Sequence, residues 1–192
     1  RSERVVGVGT MNRLRRPNLF PVVLLALGLA LHAPAHASVP FGYQQVADAY
    51  DLPPEVLYAV ALTESARQVD STGNVRPWPW TLNVQGRGHF FASRREAEAA
   101  LQNMLDQGRA SIDIGLMQVN WRYHQQRLGS PQRALDPYHN LRVAAQILRD
   151  CHQSRHDWWA AVGCYHAPNS PQRADRYRAR VRAHWQRLTR RG

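Results

Sequence analysis

From Met11 the chain runs through Arg13, Arg15 and Arg16, an apolar stretch from Leu19 to Leu31, and Ala35-His36-Ala37 before Ser38. A charged start, a short apolar run and a small-x-small site are the layout of a secretory signal peptide, here over residues 11–37. The run is about 13 residues, short of the roughly 20 needed to cross a bilayer. Pro21 and Gly28 interrupt it, which weighs against the alternatives of a membrane anchor or a buried helix. Residues 1–10 lie upstream of the initiator this layout implies and read as an upstream extension. What remains to fold is 38–192, about 155 residues, the length of one domain.

The full chain has 25 basic and 14 acidic side chains, a formal charge of +11, and every basic residue is arginine. Such an excess attracts polyanions and says nothing about fold. Residues 1–37 hold five arginines and one glutamate, which leaves +7 on the remaining chain, dense between Arg173 and Arg191. That basic segment reads as a solvated helix face or as a surface for an anionic wall or membrane. Export argues against nucleic acid as its partner.

Export also permits disulfides. The only cysteines are Cys151 and Cys164, which flank an expected helix-to-helix connection, and bridging them would close a loop worth roughly 3 kcal/mol in the chain-entropy treatment. A competing reading groups Cys151, His152, His156, Cys164 and His166 as a zinc site. Two thiols in an exported chain oxidise first, so no metal is expected.

The chain from Pro40 reads as mostly helical. A short helix reaches Tyr50 with Val46 and Tyr50 inward. Pro53-Pro54-Glu55 opens a second, with proline at its first position and an acid complementing the dipole. Trp80–Val84 and His89–Phe91 predict one small hairpin around Gln85–Gly88. Ser93 caps a helix to about Gln107, with Glu96 in its first turn and Ala97, Leu101 and Met104 as its stripe. Further helices are expected over 138–151, 158–165 and 172–188. The class is mainly α, α+β in detail.

Within the second helix, Leu57 and Glu64 are seven residues apart and differ by about 20° around the axis, so they share a face with Val60 and Ala61. An apolar stripe ends in a carboxylate. Burial disfavours its charged form and raises its pKa, the requirement for a general acid near neutral pH. A buried structural glutamate paired with an arginine would look the same. The second informative element is Gly115-Leu116-Met117-Gln118-Val119-Asn120. Its glycine permits a bend and close backbone approach, and the Gln118 amide both donates and accepts, as recognition of an N-acetyl group requires. By itself it reads as a buried helix start after a turn.

In combination these residues resemble a known family. Thr63-Glu64-Ser65, then Gly115-Leu116-Met117-Gln118, then Ala144-Ala145-Gln146-Ile147-Leu148 and Tyr165, in that order over about residues 42–168, are similar to the soluble lytic transglycosylases, closest to the small branch associated with conjugation and secretion machines. The resemblance implies a lysozyme-like helical domain that cleaves the MurNAc-β-1,4-GlcNAc bond of peptidoglycan glycan strands without water, in the periplasm and without a cofactor or metal. It implies Glu64 as the catalytic acid and then base. Gln118 and Met117 would line the cleft, Tyr165 would hydrogen-bond Glu64, and Ser111 would reach toward the same carboxyl. Asp113 is read as a turn residue that orients the loop rather than as a second catalytic carboxylate.

The family's Ala-Tyr-Asn-Ala-Gly segment is Cys164-Tyr165-His166-Ala167-Pro168 here, with His166 as the substitute polar contact. Trp78 and Trp80 are hairpin core or a stacking platform for a sugar ring. Components of an envelope-spanning conjugation or secretion apparatus are the implied partners, with no membrane span after signal cleavage. The alternatives are a hydrolytic lysozyme, a non-catalytic wall-binding scaffold, and a cytoplasmic DNA-binding module.

Overall fold

The computed structural model describes residues 39–190, so the expected leader and upstream extension lie outside the described residues. The chain forms α1 (Phe41–Ala49), α2 (Pro54–Ser65), β1 (Ala66–Gln68), β2 (Val75–Pro77), β3 (Thr81–Val84), β4 (Arg87–Phe90), α3 (Arg94–Asp106), β5 (Ile112–Ile114), β6 (Val119–Asn120), α4 (Trp121–Leu128), α5 (Pro131–Ala134), α6 (Pro137–Arg155), α7 (Trp158–His166) and α8 (Pro171–Thr189). The fold is mainly α and lysozyme-like.

Local chemistry sets the helix starts. Pro54 opens α2 with Glu55 in its first turn. Ser93 Oγ accepts from the Glu96 N–H at 3.3 Å, while the Glu96 carboxylate accepts from the Ala92 N–H at 3.2 Å, a reciprocal cap that fixes the start of α3. Asp136 caps α6 through the His139 N–H at 2.8 Å, and Asp157 caps α7 through the Ala160 N–H at 2.7 Å. Each such cap is worth about 1 kcal/mol. Cys151 and Cys164 form a disulfide that ties α6 to α7, so the thiols are not free for the competing zinc site.

The sheet is larger than the expected single hairpin. It has four antiparallel strands in the order β4-β3-β5-β6, with Leu82 opposite Ile114 and Asn83 opposite Asp113, and β1 pairs separately with β2. The β3–β4 turn is Gln85-Gly86, both with positive φ (53° and 79°). Two left-handed residues suit a two-residue hairpin turn, whose twist matches the strands. That shortens the expected four-residue turn and puts Arg87 and Gly88 into β4. The core joins the inner faces of α2, α3, α6 and the sheet, with Leu57, Val60, Leu82, Leu101, Ile114 and Leu148 fully buried. Helix α2 lies against α8, and α7 packs on both α6 and α8.

Candidate active site

Glu64 occupies the last turn of α2, on the face whose earlier members Leu57, Val60 and Ala61 have no exposed surface. The stripe reaches its edge at residue 64, which is half-buried. The next residue anchors the helix end. The Ser65 hydroxyl donates to the Leu116 carbonyl at 2.6 Å and accepts from the Trp78 N–H at 3.2 Å, so one side chain ties α2 to the β5–β6 turn and to the chain after β2.

The Gly115-Leu116-Met117-Gln118 segment is a hairpin turn, not a helix start. The reversal is set by left-handed backbone at Gly115 (φ 77°) and Gln118 (φ 49°), and the next helix begins only at Trp121, capped by Asn120. Buried Asn140 of α6 holds the turn: its amide donates to the Ile114 and Ala134 carbonyls at 2.9 and 3.0 Å and accepts from the Met117 N–H at 2.8 Å. Gln118 Nε2 donates to the Gly115 and Thr81 carbonyls at 2.9 and 3.2 Å.

Several site residues sit differently from the sequence expectation. The hydrogen bond to Glu64 comes from Tyr177 of α8, whose hydroxyl donates to Oε1 at 2.5 Å. Tyr165 instead donates to the Met117 carbonyl at 2.6 Å, because its place on α7 directs it at the turn. The Met117 side chain is fully buried in the core, so it lines no open cleft and contributes to the site through its main chain. Ser111 is exposed before β5, and its hydroxyl makes no hydrogen bond to Glu64. Asp113, in β5, accepts from Asn120 Nδ2 at 2.8 Å. His166 stacks flat on Tyr177, ring centres 4.2 Å apart and planes 4° apart. Tyr177 and Asn140 escaped sequence reasoning, since a basic helix and a helical polar residue announce no distant partner.

Burial pushes the Glu64 carboxyl up to about 7; the Tyr177 hydrogen bond opposes that rise, the Asp113 charge adds to it and Arg180 opposes it. Burial also holds the Tyr165 and Tyr177 phenols well above their ordinary value, reinforced by the Glu64 charge. Both therefore stay protonated donors. Asp113 is raised by burial, with Asn120 pulling the other way. A recess of about 530 Å³ is lined by Gln45, Val46, Ala49, Tyr50, Tyr138 and Arg142. It holds no carboxylate and none of the residues grouped around Glu64.

A mainly α fold built around one partly buried glutamate, held by a neutral phenol beside a glycine-hinged turn, places the chain among the lysozyme-like domains. The Transglycosylase SLT domain family matches residues 42–187, and the chain belongs to that family. It is a peptidoglycan lytic transglycosylase. Similar relatives are the invasion proteins IagB of Salmonella typhimurium, strains SL1344 and LT2, and of Salmonella typhi. Each is 29% identical over 147 residues, covering 72% of this chain and 71% of the relative. No solved structure matches the chain.

Proposed function

We propose that Glu64 carries both proton transfers of a non-hydrolytic cleavage of the MurNAc-β-1,4-GlcNAc bond. The observation that carries this reading is a carboxyl pushed up to about 7 yet hydrogen-bonded by a permanently protonated phenol. A group poised there is available as acid and as base at neutral pH. As the acid it donates its proton to the glycosidic oxygen as the C1–O bond breaks. As the carboxylate, stabilised by the Tyr177 hydroxyl, it takes the proton of the muramoyl C6 hydroxyl while that oxygen bonds to C1. The product is a 1,6-anhydro ring, and Glu64 ends protonated, as it began. The substrate's own acetamido group stabilises the cationic centre, so no nucleophilic carboxylate is required. Gln118, partly exposed beside Thr81, is the side chain we assign to the sugar amide.

The leader over 11–37 and the wall substrate support a periplasmic enzyme with the catalytic domain from 38. Relatives named for invasion support local wall opening for an envelope-spanning apparatus. Mass analysis of fragments released from purified peptidoglycan tests the chemistry. Products lighter by one water than the hydrolytic ones are expected, and Glu64→Gln should release none. Reducing ends would instead assign a lysozyme. Finding the protein in the cytoplasm on cell fractionation would overturn the exported location.

A further inference from the structure

Helix α8 carries one carboxylate, Asp175, which pairs with Arg178. At 100° per residue Arg173, Arg176, Arg180 and Arg187 fall within an arc of about 60°. They form a stripe about 21 Å long at 1.5 Å per residue. All four are exposed, and among the described residues none forms an ion pair. The stripe adjoins the reacting carboxyl. The Arg180 guanidinium carbon lies 5.5 Å from the centre of the Tyr177 ring, and that ring's hydroxyl is on Glu64. Arg173 and Arg180 are also the two charges that, after burial, hold the His166 imidazole below its ordinary range. The cationic edge thus runs from the stacked His166–Tyr177 pair outward along α8.

Four like charges on one face repel, and among the described residues the only relief is the longer-range attraction between Arg180 and Glu64. An anionic ligand would relieve the rest. A bilayer is a poor fit, because a helix that lies in a membrane surface needs an outward apolar face. The buried residues of α8, Tyr177 and Val181, are committed to the core. Intact peptidoglycan carries free carboxylates on the peptide stems of its muramoyl residues, an anionic group whose charge complements a cationic stripe that adjoins Glu64.

We propose that the Arg173–Arg176–Arg180–Arg187 stripe is a subsite for stem-peptide carboxylates, through which the enzyme selects stem-bearing over denuded glycan. This rests on Glu64 being the reacting group. Exposed charge contacts are individually weak, so the preference expected from the stripe is about five- to tenfold, and added salt reduces it.

Two measurements test it. Sedimentation of the Glu64→Gln protein with stem-bearing peptidoglycan and with the same material after amidase treatment reads binding without cleavage. Initial rates of fragment release from both substrates read the preference in kcat/KM. The stem-bearing material should win in both, the difference residing in KM. Arg173→Gln/Arg176→Gln should bring the ratio close to one. Arg95→Gln/Arg122→Gln removes the same net charge from exposed sites elsewhere and should keep the ratio. Equal binding of the two substrates, or a ratio that survives the α8 substitutions, overturns the subsite. So would a preference for anionic phospholipid vesicles that the α8 variant loses while wall binding is unchanged. Stem-selective binding with no fragments from the wild-type protein would leave the subsite standing and sink the assigned chemistry.

Discussion

Asn140 occupies the space that a side chain on Gly115 would need, its amide nitrogen lying 2.8 Å from the position of a Cβ there. Gly115 also has φ 77°, so alanine meets both a strained backbone and a clash with a side chain locked by three hydrogen bonds. Gly115→Ala should cost about 1–3 kcal/mol and lower activity by displacing the turn that carries Gln118. Asn140→Ala should cost about 3 kcal/mol by leaving buried backbone groups unpaired. Combined, the two should destabilise by less than their sum, because the clash disappears with the amide. Denaturant unfolding of the single and double variants checks this, and strict additivity would sink it.

The charged form of Glu64 should weaken the fold it belongs to. The Glu64 carboxyl binds its proton more tightly folded, about 7, than its ordinary 4.5, so the stabilisation from that proton is complete below about pH 4.5 and lost as pH rises through 7. Glu64→Gln has no proton to lose. It should match the wild type near pH 4 and exceed it above pH 8 by up to about 3 kcal/mol, visible as a Tm difference that opens with pH. A constant difference across that range would contradict burial as the cause of the raised pKa.

Tyr177→Phe keeps the buried ring and its stacking with His166 but removes the donor to the carboxylate. Losing a bond to the charged form favours the neutral one, so the alkaline limb of the kcat/KM profile should move to higher pH. The plateau should fall about tenfold or more, as expected for a hydrogen bond to a charged group of about 1.5–3 kcal/mol. Tyr165→Phe leaves Glu64 its donor and should lower activity without moving that limb. A limb that stays in place for Tyr177→Phe would remove the phenol from the acid–base chemistry.

Opening the Cys151–Cys164 bridge, which spans 13 residues of sequence, should cost about 3 kcal/mol. Cys151→Ser/Cys164→Ser should show this loss in unfolding midpoint with or without reductant, while the wild type should lose it only when reduced. A wild type indifferent to reductant would show that the bridge contributes nothing.

What could be read from the chain followed local rules. Helical periodicity placed Glu64 at the end of an apolar stripe, and Ser93 with Glu96 marked the start of α3. The misreadings share a cause. The hairpin at Gly115–Gln118 depends on left-handed backbone at Gln118, a residue type that does not advertise it, and on Asn140, which is 23 residues from its Met117 partner. Ser111 and Asp113 are two residues apart, but Ser111 lies exposed before β5 while Asp113 is held within the strand by Asn120, and it is Asp113 whose charge is felt by Glu64. Tyr177 lies in a segment whose arginines dominate its appearance, and only tertiary packing turns its hydroxyl toward α2.

The carboxyl and its phenol are separated by 113 residues. A chain made at about 5–20 residues per second presents Glu64 roughly 6–23 s before Tyr177 exists. Until α8 is made the carboxyl has no phenol to donate to it, and any product truncated before α8 carries Glu64 without its hydrogen-bond partner.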